Sequence, residues 1–253
     1  MLLSTAFFPP LSWFAAAAED WGRTVASNPS SVCDVYLEAH ENYCKQSYRN
    51  RCIIASANGP EAISVPVVHD GDIFHTPITD IKVDYEDPWV KKARRAIESA
   101  YSTSTYFEYY KDDVFAILDS GIPTLWDLNL AIINFFIKKI RLGIRIVPTP
   151  SFVVPTPSYV IPTSSSVIPT SSSVIPTSSS VIPDLIGNLP YGKDYRNIIH
   201  PKRENSILED LNLKKPYFQV FAGKYGFQSD LSVMDLLFNE GPQSLLYLVP
   251  SLV

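Results

Sequence analysis

The sequence predicts an α/β protein. A mixed sheet of short strands from the N-terminal half carries packed helices, and a disordered Pro/Ser repeat interrupts the single domain. Three observations predict this. Short runs rich in β-branched and aromatic residues crowd the first third. From Asp87 onward, apolar residues recur at helical spacing. A seven-residue Pro/Ser repeat then breaks the pattern before helical periodicity returns near the end.

The start, MLLSTAFFPPLSWFAAAAEDWG, is apolar. It lacks the positively charged region that opens a signal peptide, and Pro9-Pro10 divides it. It reads as a buried strand, a loop and an apolar helix. VCDVYLEA and RCIIASA read as strands. Asn58-Gly59 marks a turn, AISVPVV the next strand, HDGDIFHTPIT a loop and DIKVDY a further strand. Antiparallel neighbours are expected among them.

DPWVKKARRAIESAY changes the period. Trp89, Ala93, Ala96, Ile97, Ala100 and Tyr101 share one helical face, with Asp87 as the expected N-cap and Pro88 opening the helix. STSTYFEYYKDDVFAIL reads as a turn and a second helix. In TLWDLNLAIINFFIKKIRLG, residues Leu125, Leu128, Ile132, Phe135, Phe136 and Ile140 form an apolar stripe. Lys138, Lys139 and Arg141 suit the dipole near its end, and Gly143 is the expected stop. IRIVPT reads as a strand. In LSVMDLLFNEGP, Ser232 and Asp235 have capping-box spacing, and Gly241-Pro242 ends the helix.

The repeat runs from Val160 to Pro183. A proline in each unit excludes a coiled coil, because it removes a backbone donor every time. Serine-rich spacers bury too little surface to offset ordering entropy. The expected organisation is therefore an N-terminal part over 1–147, a low-complexity insertion over 148–189, and a C-terminal part over 190–253 that returns to the same core. A long surface connection adds closure entropy only slowly, so the fold tolerates it.

The formal charge of −5 argues against nonspecific nucleic-acid binding, which needs a basic surface. No uninterrupted apolar stretch reaches the length of a membrane span, and a cytoplasmic protein is expected. Three cysteines, Cys33, Cys44 and Cys52, read as free thiols. No Walker loop, GxGxxG or GxSxG motif is present, so no cofactor is named.

Chemistry concentrates in EAHENYCKQSYRNRC, Glu38 to Cys52. Lys45, Arg49 and Arg51 lie close to Glu38, His40 and Glu41. Arginine's planar fork matches carboxylate and phosphate oxygens, so the stretch is a candidate anion site. In strand geometry Arg49 and Arg51 share one face and Asn50 takes the other. A solvated hairpin with weak internal ion pairs, each worth about 0–1 kcal/mol, is the bland reading. Arg94 and Glu98 stand at i,i+4 spacing and are expected to pair; Arg94 is the alternative partner of Arg49 in the anion pocket. His40 and His200 are the candidate bases. His69, Asp70, Asp72 and His75 match no standard metal spacing and read as turn residues.

Several stretches together carry a family resemblance: LLSTAFFPPLSWFA, EAHENYCKQSYRNRC, ISVPVVH, ITDIKVDY, PWVKKARRAIESAYSTSTYFEYY, DLNLAII, DYRNIIHPK, PYFQVF and YGFQSDLSVMDLLFNEGP. The chain resembles the WbqC-like proteins, in the short form common in Bacteroidota. The resemblance leaves out the repeat and the segment after Trp13. It implies a bacterial protein tied to surface-polysaccharide or O-antigen genes, and a transferase moving glycine or another acyl group onto a sugar amine. It supplies no catalytic residues. The expected partner is an anionic small molecule or a nucleotide-sugar. A non-catalytic binding or assembly protein is the alternative; a broad apolar surface without a cleft would favour it. No oligomeric state follows from the sequence.

Overall fold

The computed structural model describes residues 1–25, 27–28, 30–69, 71–154 and 192–249. The repeat lies outside the described residues.

The chain folds as an α/β protein whose strands divide between two small sheets. Strands β1 (Leu2–Leu3), β2 (Cys33–Leu37) and β5 (Ile144–Pro148) form a parallel sheet in the order β1-β2-β5. Their registers place Leu3 beside Leu37, and Leu37 beside Pro148. A parallel bridge from Leu2 to Asp194 extends the open edge. Strands β3 (Arg51–Ser56) and β4 (Gly59–Ser64) form an antiparallel hairpin around Asn58, with Arg51 opposite Ser64.

The expected antiparallel pairing holds for β3 and β4 but not for β2. Strand β2 is followed in sequence by β3, yet it pairs with β1 and β5. Helix α1 (Leu11–Val25) supplies the crossover that parallel neighbours require. DIKVDY forms no strand. Val83 and Lys82 bridge singly to Val67 and Thr124, two separate segments, so no ladder develops.

Helix α1 is almost wholly buried, which explains its run of alanines. Trp13, Phe14, Ala15, Ala16, Ala17 and Ala18 are all within the core. Helix α2 (Trp89–Tyr101) buries Trp89, Ala93, Ile97, Ala100 and Tyr101. Its N-cap is Pro88, without a side-chain cap; Asp87 lies one residue earlier and binds Lys92 instead. Helix α3 spans Phe107–Leu118 and α4 spans Leu125–Ile140. Thr124 caps α4 by accepting from the Asp127 amide, and Arg141, left-handed at φ 66°, ends it. Gly143 lies beyond that stop and has another role. A Cβ there would come within 2.2 Å of the Trp21 indole nitrogen, so only glycine lets α1 approach the entry to β5.

Beyond the undescribed segment come the short helices α5 (Ile207–Asp210) and α6 (Ala222–Tyr225), then α7 (Val233–Glu240) and α8 (Ser244–Leu248). Ser232 caps α7 by accepting from the Met234 amide, and Gly241 closes it at φ 53°. Asp235 is not a capping-box partner. It turns inward and accepts hydrogen bonds from Tyr217 (2.6 Å) and Gln219 (2.9 Å). Tyr195, Ile199, Leu213, Met234 and Phe238 join Leu3, Phe14, Leu37 and Phe136 in one apolar cluster.

Candidate functional site

The carboxyl ends of β1, β2 and β5 open onto one edge, the side where parallel sheets place their ligand sites. Two buried polar knots brace this edge. Glu38, fully buried at the end of β2, accepts from Thr149 Oγ1 (2.8 Å), the Val153 amide (2.9 Å) and Arg196 Nη1 (2.8 Å). Arg196 is further held by Asp194 and the Val153 carbonyl. In the second knot, Arg49 grips the Glu41 carboxylate with Nε at 2.8 Å and with Nη2, and Nη2 also donates to Ser4 Oγ (2.8 Å). Burial works against the Arg49 charge, but the Glu41 carboxylate outweighs it and raises the guanidinium pKa. Both knots are satisfied internally. They shape the edge and leave ligand binding to other groups.

The loop leaving β2 and the start of β3 border a cavity. Tyr43, Lys45, Gln46, Asn50 and Arg51 line one cavity of about 450 Å³. The hairpin adds Glu61 and Ser64, the next segment adds His69, and α2 adds Trp89 and Lys92. Ile63, Val65, Val67, Ala93 and Ala96 give it apolar walls. This size and mixture suit a small-molecule ligand.

Lys45 and Arg51 have no ion-pair partner among the described residues. Three buried polar atoms of lining residues also lack partners: Asn50 Oδ1, Arg51 Nε and Trp89 Nε1. Buried polar atoms are normally satisfied, so these three are exceptions to that rule beside the cavity. Tyr43 is pushed up to about 12 by burial, against the pull of Arg51 and Arg49, and keeps its hydroxyl proton.

The structure thus brings Lys45, Asn50 and Arg51 together with residues distant in sequence. It does not bring Arg49 with them. Ser47 Oγ donates to the Cys44 carbonyl and the Asn50 amide donates to the Ser47 carbonyl, so 47–50 is a turn and β3 begins only at Arg51. Strand alternation therefore does not govern Arg49. Arg49 turns inward to Glu41, and Asn50 shares the cavity with Arg51.

Arg94 and Glu98 lie on another face of α2, in a separate groove with Asp119. There Arg94 pairs with Asp119 at 2.6 Å rather than with Glu98, and its guanidinium stacks over Phe115.

Neither histidine expected as a base lines the cavity. His40 is exposed, with Nε2 3.1 Å from the Thr149 carbonyl. His200 lines a different groove with Tyr48, Asn205 and Asp230. Its pKa is lowered by burial and by Arg203, Arg49 and Lys202.

His69 is the imidazole that lines the cavity, and sequence reasoning had set it aside as a turn residue. The available signal was its position a few residues past β4, whose last residue, Ser64, pairs with Arg51. Among the described residues no three His, Cys, Asp or Glu side chains gather as a metal site, and Cys33, Cys44 and Cys52 are free. His75 pairs with Asp72 at 2.6 Å, and Asp70 lies outside the described residues.

A family model described as the WbqC-like protein family matches residues 31–247. The chain belongs to the WbqC-like protein family. The match spans the whole of the β2–β3 loop, the hairpin and α2, so the cavity of this WbqC-like protein lies entirely within the family's region. No curated protein and no solved structure matches the chain. No helix among the described residues of this WbqC-like protein is long and apolar enough to cross a membrane.

Proposed function

We propose that this WbqC-like protein is a bacterial acyl or aminoacyl transferase acting on a sugar amine in surface-polysaccharide synthesis. Its anionic substrate, a nucleotide-sugar, binds in the cavity beside β3 and α2. The observation that carries the reading is the gathering of two unpaired cations, Lys45 and Arg51, in one cavity of about 450 Å³. Convergent donors from separate segments are what phosphate or carboxylate recognition needs. A broad apolar face without a cleft would have favoured a non-catalytic assembly role instead.

Transfer from a thioester forms the bond between the amine nitrogen and the acyl carbon, breaks the acyl carbon–sulfur bond, and passes the proton the amine loses to the departing thiolate. His69 is the lining side chain whose imidazole can relay that proton.

Calorimetric titration with a UDP-hexose tests the anion site. Arg51→Lys keeps the charge and loses the fork, so affinity should fall about tenfold. Lys45→Ala should weaken binding by a similar factor. Transfer itself is read as a mass increase on an amine-bearing UDP-sugar incubated with an acyl thioester. Absence of UDP-hexose binding, or binding that both variants leave untouched, would overturn the reading.

A further inference from the structure

Helix α2 borders a second recess. A groove of about 570 Å³ follows another of its faces, lined by Lys91, Arg94 and Arg95 on the helix, by Tyr85 before it and by Asp119 at the end of α3. The groove adjoins the cavity. Asp87 lines both, and the Tyr85 ring in the groove lies 5.9 Å from the Trp89 ring that borders the cavity.

The charges of the groove are only partly spent on the fold. Arg94 pairs with Asp119, and Asp87 binds Lys92. Lys91 and Arg95 are exposed, and neither makes an ion pair or a hydrogen bond among the described residues. Glu98 is the carboxylate left to oppose these two cations. Lys91 and Arg95 stand one helical turn apart, where like charges repel, and an anion between them relieves that cost. Tyr85 adds a flat surface. Its hydroxyl donates to the Ile122 carbonyl at 2.8 Å, which fixes the ring, and the side chain stays partly exposed in the groove. A ring held in this way is a stacking platform for a nucleobase.

We propose that this groove binds the nucleotide end of the acyl donor, a coenzyme A thioester, with its phosphates at Lys91 and Arg95 and its adenine on Tyr85. The proposal rests on the transferase reading above and names the second substrate. Phosphates and a base in one ligand match cations and an aromatic face in one groove. A simple anion would leave Tyr85 unused. The pantetheine arm of such a donor is long and flexible, so the thioester reaches the adjoining cavity while the nucleotide stays anchored outside it. There the amine nitrogen bonds to the acyl carbon, the carbon–sulfur bond breaks, and coenzyme A leaves as the thiol carrying the proton that the amine lost.

Calorimetric titration with coenzyme A itself, run beside the UDP-hexose titration, tests the site. Pantetheine, which lacks the nucleotide and its phosphates, should bind at least about tenfold more weakly than coenzyme A. Lys91→Ala combined with Arg95→Ala should lower coenzyme A affinity at least about tenfold and leave UDP-hexose affinity unchanged. Both side chains are exposed, so this variant keeps the fold. Tyr85→Leu keeps the apolar bulk without the aromatic face and should lower coenzyme A affinity about tenfold. Failure of coenzyme A to bind a protein that binds UDP-hexose would overturn the proposal and leave the cavity reading standing. So would coenzyme A binding that the double variant leaves untouched. Displacement of coenzyme A by UDP-hexose would mean one shared site and would overturn it too. Coenzyme A binding with the expected variant effects, in a protein that does not bind UDP-hexose, would support the groove and overturn the reading of the cavity.

Discussion

Arg49 and Arg51 stand two residues apart and do opposite things. Arg51 has a buried Nε without a partner beside an open cavity. Arg49 is consumed by Glu41 and Ser4. Both side chains of the Arg49–Glu41 pair are about nine-tenths buried, so the pair matters most when half of it is removed. Glu41→Gln leaves a buried guanidinium without its counter-charge and should cost about 3 kcal/mol in urea denaturation. Replacing both partners, Glu41→Leu with Arg49→Met, should recover much of that loss, because neither charge is then stranded. A double variant less stable than Glu41→Gln would show that the pair stabilises the fold beyond its own desolvation. Composition alone could not separate the two arginines. Their difference comes from the turn at 47–50, held by the Ser47 hydroxyl and the Asn50 amide, which ends just before β3 begins at Arg51.

Elements with a strong period were legible. Helices α2, α3, α4 and α7 follow apolar stripes that only a helix can bury on one side, and β3 with β4 follows from β-branched runs around Asn58-Gly59. The parallel sheet was not legible, because β1 is two residues long and β5 lies more than a hundred residues after β2. Periodicity reports which face is buried and is silent on which distant strand lies alongside.

Helix α7 shows the same limit in its chemistry. The spacing of Ser232 and Asp235 suggested a cap, but the burial of α7 turned Asp235 into a core acid. Burial pushes its carboxyl up from 3.8 to about 6, against hydrogen bonds from Tyr217 and Gln219. Between those values the folded state holds a proton that the unfolded state has released. Stability from this group is therefore present at low pH and is lost as pH rises through about 6. Asp235→Asn cannot ionise, so its stability relative to wild type should improve as pH rises from about 4 to above 6. Urea denaturation across that range reads the difference. Parallel curves for the two proteins would mean that Asp235 does not titrate there.

At the scale of the whole molecule, the described chain stops at Val154 and resumes at Gly192, and the two sides meet through Glu38. Thr149 and Val153 fall inside the range that composition assigned to the insertion, yet both are buried and bonded to Glu38. Arg196 reaches the Val153 carbonyl at 2.7 Å, which places the two flanks within one side chain of each other. Proline and serine content marks a segment poor in core residues, but it cannot mark the last residue that a distant carboxylate holds. The repeat is therefore expected to be dispensable only up to those contacts. Replacing 155–191 by a short Gly/Ser linker should leave the melting temperature nearly unchanged, since a flexible connection adds little closure entropy. Extending the cut to 150–191 with the same linker removes the Val153 amide and carbonyl. Glu38 and Arg196 then each lose a charge-assisted hydrogen bond in a buried site, at a cost of about 2–4 kcal/mol. Equal melting temperatures for the two deletion variants would show that Val153 contributes nothing to the edge. A large loss in the shorter deletion would show that the repeat itself supports the fold.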